Sequence, residues 1–132
     1  MATRHHARMA VVSLLYAFDL GNGNTAEHAD EILEEKKIRN KQKDFALTLY
    51  DGVMAHIEEC DKLIVEHLKE WDFERIGTIE RATLRLATYE ILYGELDSAV
   101  VINEAVEITK AFGSEQSPKF INGVLDAISK TK

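Results

Sequence analysis

The sequence predicts an all-α fold, a compact bundle of about six to seven helices in two packed subdomains. Three observations carry that prediction. Proline occurs once in 132 residues, so little interrupts helical runs. Strand-like alternation is missing, while apolar residues recur at three- and four-residue spacing. Ile79–Tyr93 is apolar nearly all round: Ile79, Ala82, Leu86, Tyr89 and Tyr93 line one face, and Leu84, Ala87, Ile91 and Leu92 fill most of the rest. Only a strip led by Arg81, Arg85 and Thr88 stays polar. Such a helix has to be covered from several sides, which makes it the central post of the domain, and Gly94 ends it.

The elements follow in order. The first helix runs from about Thr3 to Leu20, with Ala7, Ala10, Val11, Leu14, Leu15 and Phe18 as its buried stripe. Gly21-Asn22-Gly23-Asn24 is its terminating loop, and Thr25 caps a short acidic helix over Ala26–Lys36. Its Glu31, Glu34 and Glu35 form a solvated face, and Ile32 and Leu33 are its anchors. A long pattern covers about Lys41–Lys69, with a joint expected within Glu58–Lys62 and a close helix approach or slight weakening at Gly52. Asp72 caps a short turn, and Gly77-Thr78 breaks the chain before the central helix. After an Asp97-Ser98 cap comes a helix over Val101–Phe112, stopped by Gly113. Ser117 as N-cap and Pro118 as first helical residue open the last helix, Pro118–Lys130, in which Gly123 implies a nearby backbone. One domain is expected over 1–132. An N-terminal layer spans about 1–70, and a C-terminal layer spans about 71–132 around the central helix 79–93.

Composition narrows the function. The lone Cys60 excludes an internal disulfide and fits a reducing compartment. Neither a signal peptide nor an apolar run of membrane-spanning length is found, so the expectation is a cytoplasmic protein. A net charge of −7 argues against general nucleic-acid binding, but both ends are mildly basic and the middle holds the acidic excess. If the ends meet, they form a small patch for polyanions on a body that attracts basic partners.

Catalytic patterns are missing: no glycine-rich phosphate loop, no Cys-x-x-Cys, no His-Glu-x-x-His, no Gly-x-Ser-x-Gly. No enzyme activity and no cofactor are expected. His56, Cys60 and His67 share one helix face, but His67 lies about 10 Å beyond Cys60, too far for one ion, so no metal site is expected. Two stretches remain suggestive. Arg4, His5, His6 and Arg8 crowd a helix start where the dipole disfavours cations, which reads either as tolerated exposure or as placement for phosphates. The start of the last helix beside Lys119 can hold a phosphate, and Phe112 and Phe120 are either core residues or platforms for an unpaired base.

Four stretches carry a resemblance over essentially the whole chain: RHHARMAVVSLLYAFDL at 4–20, DFALTLYDG at 44–52, IERATLRLATYEIL at 79–92 and VINEAVEITKAFGSEQSPKFINGVLDAI at 101–128. The pattern resembles the NusB family of bacterial transcription antitermination factors. The resemblance implies a non-catalytic protein that binds single-stranded boxA-type RNA of ribosomal RNA operons together with the ribosomal protein NusE. It further implies an RNA polymerase elongation complex with NusA and NusG as the setting. Matching RNA-binding positions are Arg4, His5, His6, Arg8, Gln116, Lys119 and Phe120; Tyr16 and Glu80 match positions at the NusE contact. His5 and His6 stand where the family commonly has arginines, which ties part of the charge to pH, and Gln116 and Pro118 replace a common Asp and His. The alternatives are an RNA-binding module of a ribosomal RNA methyltransferase and a structural adaptor self-associating through Ile32 and Leu33. A homodimer is compatible with each.

Overall fold

The computed structural model describes residues 3–21, 25–68, 73–112 and 115–131. Among them are seven α-helices: α1 Arg4–Asp19, α2 Thr25–Glu35, α3 Lys41–Ala55, α4 Ile57–Glu66, α5 Thr78–Tyr93, α6 Ser98–Phe112 and α7 Ser117–Ser129. A single 3-10 turn, Phe73–Arg75, precedes α5, and the described residues contain no strand. The caps expected at Asp72 and Gly113 and the Asn22–Asn24 part of the loop lie outside the described residues.

As its sequence requires, α5 is the post, packing against α1, α3, α4, α6 and α7. It serves two apolar cores at once. Ala82 and Leu86 join Val11, Leu14 and Leu15 of α1, Leu33 of α2 and Tyr50 and Val53 of α3. Leu84, Ala87 and Ile91 join Ile64 of α4, Val101 and Ala105 of α6 and Ile121, Leu125 and Ile128 of α7. The polar strip is covered as well. Arg85 and Thr88 are buried, and Arg85 is held by Asp61 of α4 through Nε and Nη2 at 2.7 and 2.8 Å. Asp19 of α1 takes Arg81 at 2.6 Å and Arg85 at 3.3 Å. Burial works against the Arg85 charge, but Asp61 and Asp19 outweigh it and hold the guanidinium above its ordinary value.

Several local expectations need correction. The joint in the long helix falls at His56, before the expected Glu58–Lys62. There the chain leaves helical geometry at φ −118°, and the ring stacks on Tyr93 with centroids 4.3 Å apart. Gly52 does mark a close approach, since a Cβ there would overlap the Tyr89 ring. Gly123 does not: it is exposed, and a Cβ would meet nothing within 4 Å. Ser117 is the first helical residue, not the N-cap; the cap is Gln116, and the Ser117 hydroxyl donates to Glu80 Oε1 at 3.2 Å. α6 begins at Ser98, three residues before the expected start. Leu33 is buried in the first core and Ile32 is partly buried against it, so the pair named for the adaptor alternative is turned largely inward.

α2 ends in a Schellman turn. The Lys37 N–H donates to Glu34 O at 3.0 Å and the Ile38 N–H to Leu33 O at 2.9 Å, while Lys37 takes φ 61°. Ile38 is buried behind the turn, so Lys36 and Lys37 are left facing solvent.

Candidate nucleic-acid interface

Thr3 and His6 open α1 with a reciprocal capping box. The His6 N–H donates to Thr3 Oγ1 and the Thr3 N–H donates to His6 Nδ1, both at 3.2 Å. His6 thus fills the role usually given to Glu or Gln, and its ring must be neutral to accept. The capping box lies just ahead of the basic turn.

The four basic residues there divide in two. Arg8 is buried and grips Glu90 of α5 by a fork, Nε–Oε2 and Nη2–Oε1 each at 2.9 Å, with Glu104 of α6 at 3.8 Å. Burial opposes its charge, but Glu90 and Glu104 prevail and hold the guanidinium above its ordinary value. His5 shares Glu104 through Nδ1. The expectation of four solvent-facing cations is therefore corrected: Arg4 and His6 are exposed, while Arg8 is turned inward and His5 is half-buried. The physical reason is spacing, because Arg8 stands on the same helical face as Val11, Val12 and Leu15. Arg4 and Arg8 both lie over the Phe45 ring, at 4.6 and 5.0 Å from its centroid, which fixes the outer arginine on the inner one's support.

Beside this turn is a groove of about 380 Å³. His6, Met9, Ala10 and Ser13 form its α1 wall. Lys36, Lys37 and Ile38 close it from the end of α2, and Phe112 closes it from the end of α6. Phe112 is 42% exposed. Neither Lys36 nor Lys37 was singled out by sequence; the available signal was the switch from the acidic run to Lys36-Lys37 before Arg39.

Gln116, Lys119 and Phe120 lie in a second groove, of about 620 Å³, with Arg75, Gly77, Glu80 and Glu115. Phe120 packs partly into the second core, so the two phenylalanines weighed as platforms have separate fates. Glu80 receives the Ser117 hydroxyl here and folds back over Gly77, where a Cβ would sit 2.6 Å from its carboxylate oxygens. Tyr16 is at the surface one turn before Asp19, which grips Arg81 beside Glu80. The two positions expected at the protein-partner contact therefore sit near the same end of the α1–α5 pair.

The seven expected RNA residues fall into two groups. Arg8 meets Glu90 and Ser117 meets Glu80, ten residues and about 15 Å apart along α5. The groups are nevertheless neighbours: four residues of chain, at most about 15 Å, run from Phe112 in one groove to Gln116 in the other.

Cys60 and His67, the other residues weighed for chemistry, are held in structural contacts. The Cys60 thiol is buried, and burial, with Glu59 and Asp61 adding to it, pushes its pKa up to about 12. Such a thiol is inert at neutral pH. His67 Nδ1 bonds the Leu63 carbonyl oxygen at 2.8 Å. Among the described residues no helix is long and apolar enough to cross a membrane.

The model of the NusB family matches residues 5–130. The chain is 87% identical over 132 residues to the transcription antitermination protein NusB of Sulfurimonas denitrificans, covering all of both chains. Among solved structures it is similar to a crystal structure of antitermination factors NusB and NusE in complex with dsRNA. That likeness has 37% identity and a TM-score of 0.89, over 98% of this chain and 97% of the other. It is also similar to a chain in the crystal structure of a plectonemic RNA supercoil, with 38% identity and a TM-score of 0.90, over 99% of this chain and 96% of that one.

Proposed function

The chain belongs to the NusB family, and from that membership we propose that it is a cytoplasmic transcription antitermination factor. It binds single-stranded boxA-type RNA of ribosomal RNA operons together with NusE and carries out no catalysis. Its wider setting is the RNA polymerase elongation complex with NusA and NusG.

One observation supports this reading above the rest. On a chain of net charge −7, the cationic Lys36 and Lys37 line a groove with an outward-facing aromatic, Phe112, and Arg4 is exposed at the start of the neighbouring α1. Cations that track a backbone and an aromatic that stacks a base are what a single strand requires. The neighbouring groove, with Gln116, Lys119 and Phe120, continues the path. Arg8 and His5 act one step back: their carboxylates on α5 and α6 fix the helix that presents Arg4. Tyr16 and Glu80, near one end of the α1–α5 pair, are the contact for NusE, and the acidic body suits a basic ribosomal protein.

The test is fluorescence anisotropy of a labelled boxA RNA and a scrambled control, each with and without NusE. Preferential binding of boxA, tightened by NusE, is expected. With three to four phosphates neutralised, log K should fall by about two to three units per decade of salt. Equal binding of both RNAs with NusE present would overturn the reading.

A further inference from the structure

We propose that the groove between α1, the end of α2 and the end of α6 is a nucleotide subsite for single-stranded RNA. Phe112 stacks one base, and Lys36 and Lys37 hold the flanking phosphates. The inference rests on the function proposed above and extends the RNA path beyond Gln116, Lys119 and Phe120.

Charge pairing is the first support. Glu34, one turn before the lysines, is taken from the other side by Lys43 at 2.7 Å and Arg39 at 2.9 Å. Lys36 and Lys37 have no carboxylate partner among the described residues. Two adjacent uncompensated ammonium groups at a concave site are an anion site with its counter-charge still to come.

The aromatic is the second. Phe112 is 42% exposed at the end of α6, above Met9, Ala10 and Ile38. About 380 Å³ is the scale of a small-ligand pocket, room for a single nucleoside and not for a duplex. An exposed ring between two lysines and His6 suits a base with its phosphates.

Backbone geometry is the third. Lys37 holds φ 61°, the left-handed position after a helix that glycine fills without strain. The turn's backbone therefore favours glycine over lysine, and the only structural gain from the charge is the weak pull of the α2 C-terminal dipole.

That geometry supplies the decisive variant. Lys37→Gly removes the charge and relieves the backbone, so its melting temperature should equal or exceed that of the wild type. Its affinity for boxA RNA should fall about three- to fivefold, and its salt dependence should become shallower by about 0.7 in the log–log slope. Phe112→Ala should weaken binding about tenfold and relieve the quenching of 2-aminopurine placed in the RNA, while Phe112→Tyr retains both. Wild-type binding with both Lys37→Gly and Phe112→Ala indistinguishable from it would overturn the subsite and leave the function standing. Failure of the wild type to prefer boxA, even with NusE, would remove both. An acidic partner is the competing occupant: if the variants lose binding to a polyglutamate peptide and keep RNA affinity, the subsite for RNA is overturned.

Discussion

The start of α1 and the turn after α2 hold basic residues of the same kind and use them in opposite ways. At the start of α1, Arg8 is locked to Glu90 and His5 to Glu104, so half of the basic run serves the fold. After α2, Glu34 engages Arg39 and Lys43, and Lys36 and Lys37 are left without a carboxylate partner among the described residues. The basic stretch at the start of α1 is the one the sequence singles out for phosphates, yet part of its charge is internally cancelled. The lysine pair resembles ordinary solvent coat and is the uncancelled one. Availability of charge is decided by pairing across the fold, not by local density.

Breaking the inner clamp should give the largest effect. Glu90→Ala leaves Arg8 buried with only Glu104, at 3.8 Å, and breaking a buried pair by removing one partner costs about 3–5 kcal/mol. Thermal melting should fall by roughly 10–20 °C. The double variant Arg8→Met/Glu90→Met removes the charges together and should recover most of that loss. A single-variant loss below about 1 kcal/mol would mean that the clamp is not structural.

The outer pair should show the complementary behaviour. Lys36→Gln combined with Lys37→Gly should leave melting near the wild type and reduce the salt slope of RNA binding by about 1.4, two single-strand phosphates' worth. The double variant at Arg8 and Glu90 should leave that slope unchanged. Reversal of the two results would exchange the roles assigned to the two regions.

The comparison also shows what could be read without coordinates. The central helix was legible because apolar residues surround Ile79–Tyr93, and with it the need for helices packed on several of its sides. Gly52 was legible as a close approach, whereas Gly123, equally mid-helix, is exposed, because a glycine alone does not say whether a neighbour exists. The break at His56 had no local signal; its ring settles on Tyr93, a residue 37 positions away. The inward turn of Arg8 did have one, in its spacing with Val11, Val12 and Leu15 and in Glu90, which stands on the side of α5 away from the Arg81–Arg85–Thr88 strip. Lys36 and Lys37 gain meaning only when Phe112, some 75 residues on, arrives beside them. The two-groove arrangement, in turn, depends on which end of α5 each group meets, and that is a property of packing.

A smaller effect separates the cap from the charge at the start of α1. His6→Ala removes the acceptor for the Thr3 N–H and should cost about 0.5–1 kcal/mol. His6→Gln keeps an acceptor at the same helical position and should melt within a few degrees of the wild type. If both variants melt alike, the reciprocal bond contributes nothing and the histidine's place at this turn concerns RNA alone.

The smallest expected effect lies at Glu34. Hydrogen bonds from Lys43 and then Arg39 hold its carboxyl below the usual carboxylate value. A lowered folded-state value means that the contribution is present above about pH 4.3, where the unfolded carboxyl is ionised, and is lost as pH falls through the folded-state value. Wild type and Glu34→Gln should therefore differ slightly in stability at neutral pH and converge in acid, measured by urea unfolding across pH 2–7. Because the site is exposed, the difference is small and shrinks with salt. The same variant frees Arg39 entirely, while Lys43 retains Asp30 at 3.2 Å. A released cation near Lys36 and Lys37 should raise RNA affinity at low salt. If affinity instead falls, Glu34 organises the lysine turn and does more than draw its neighbours' charge away.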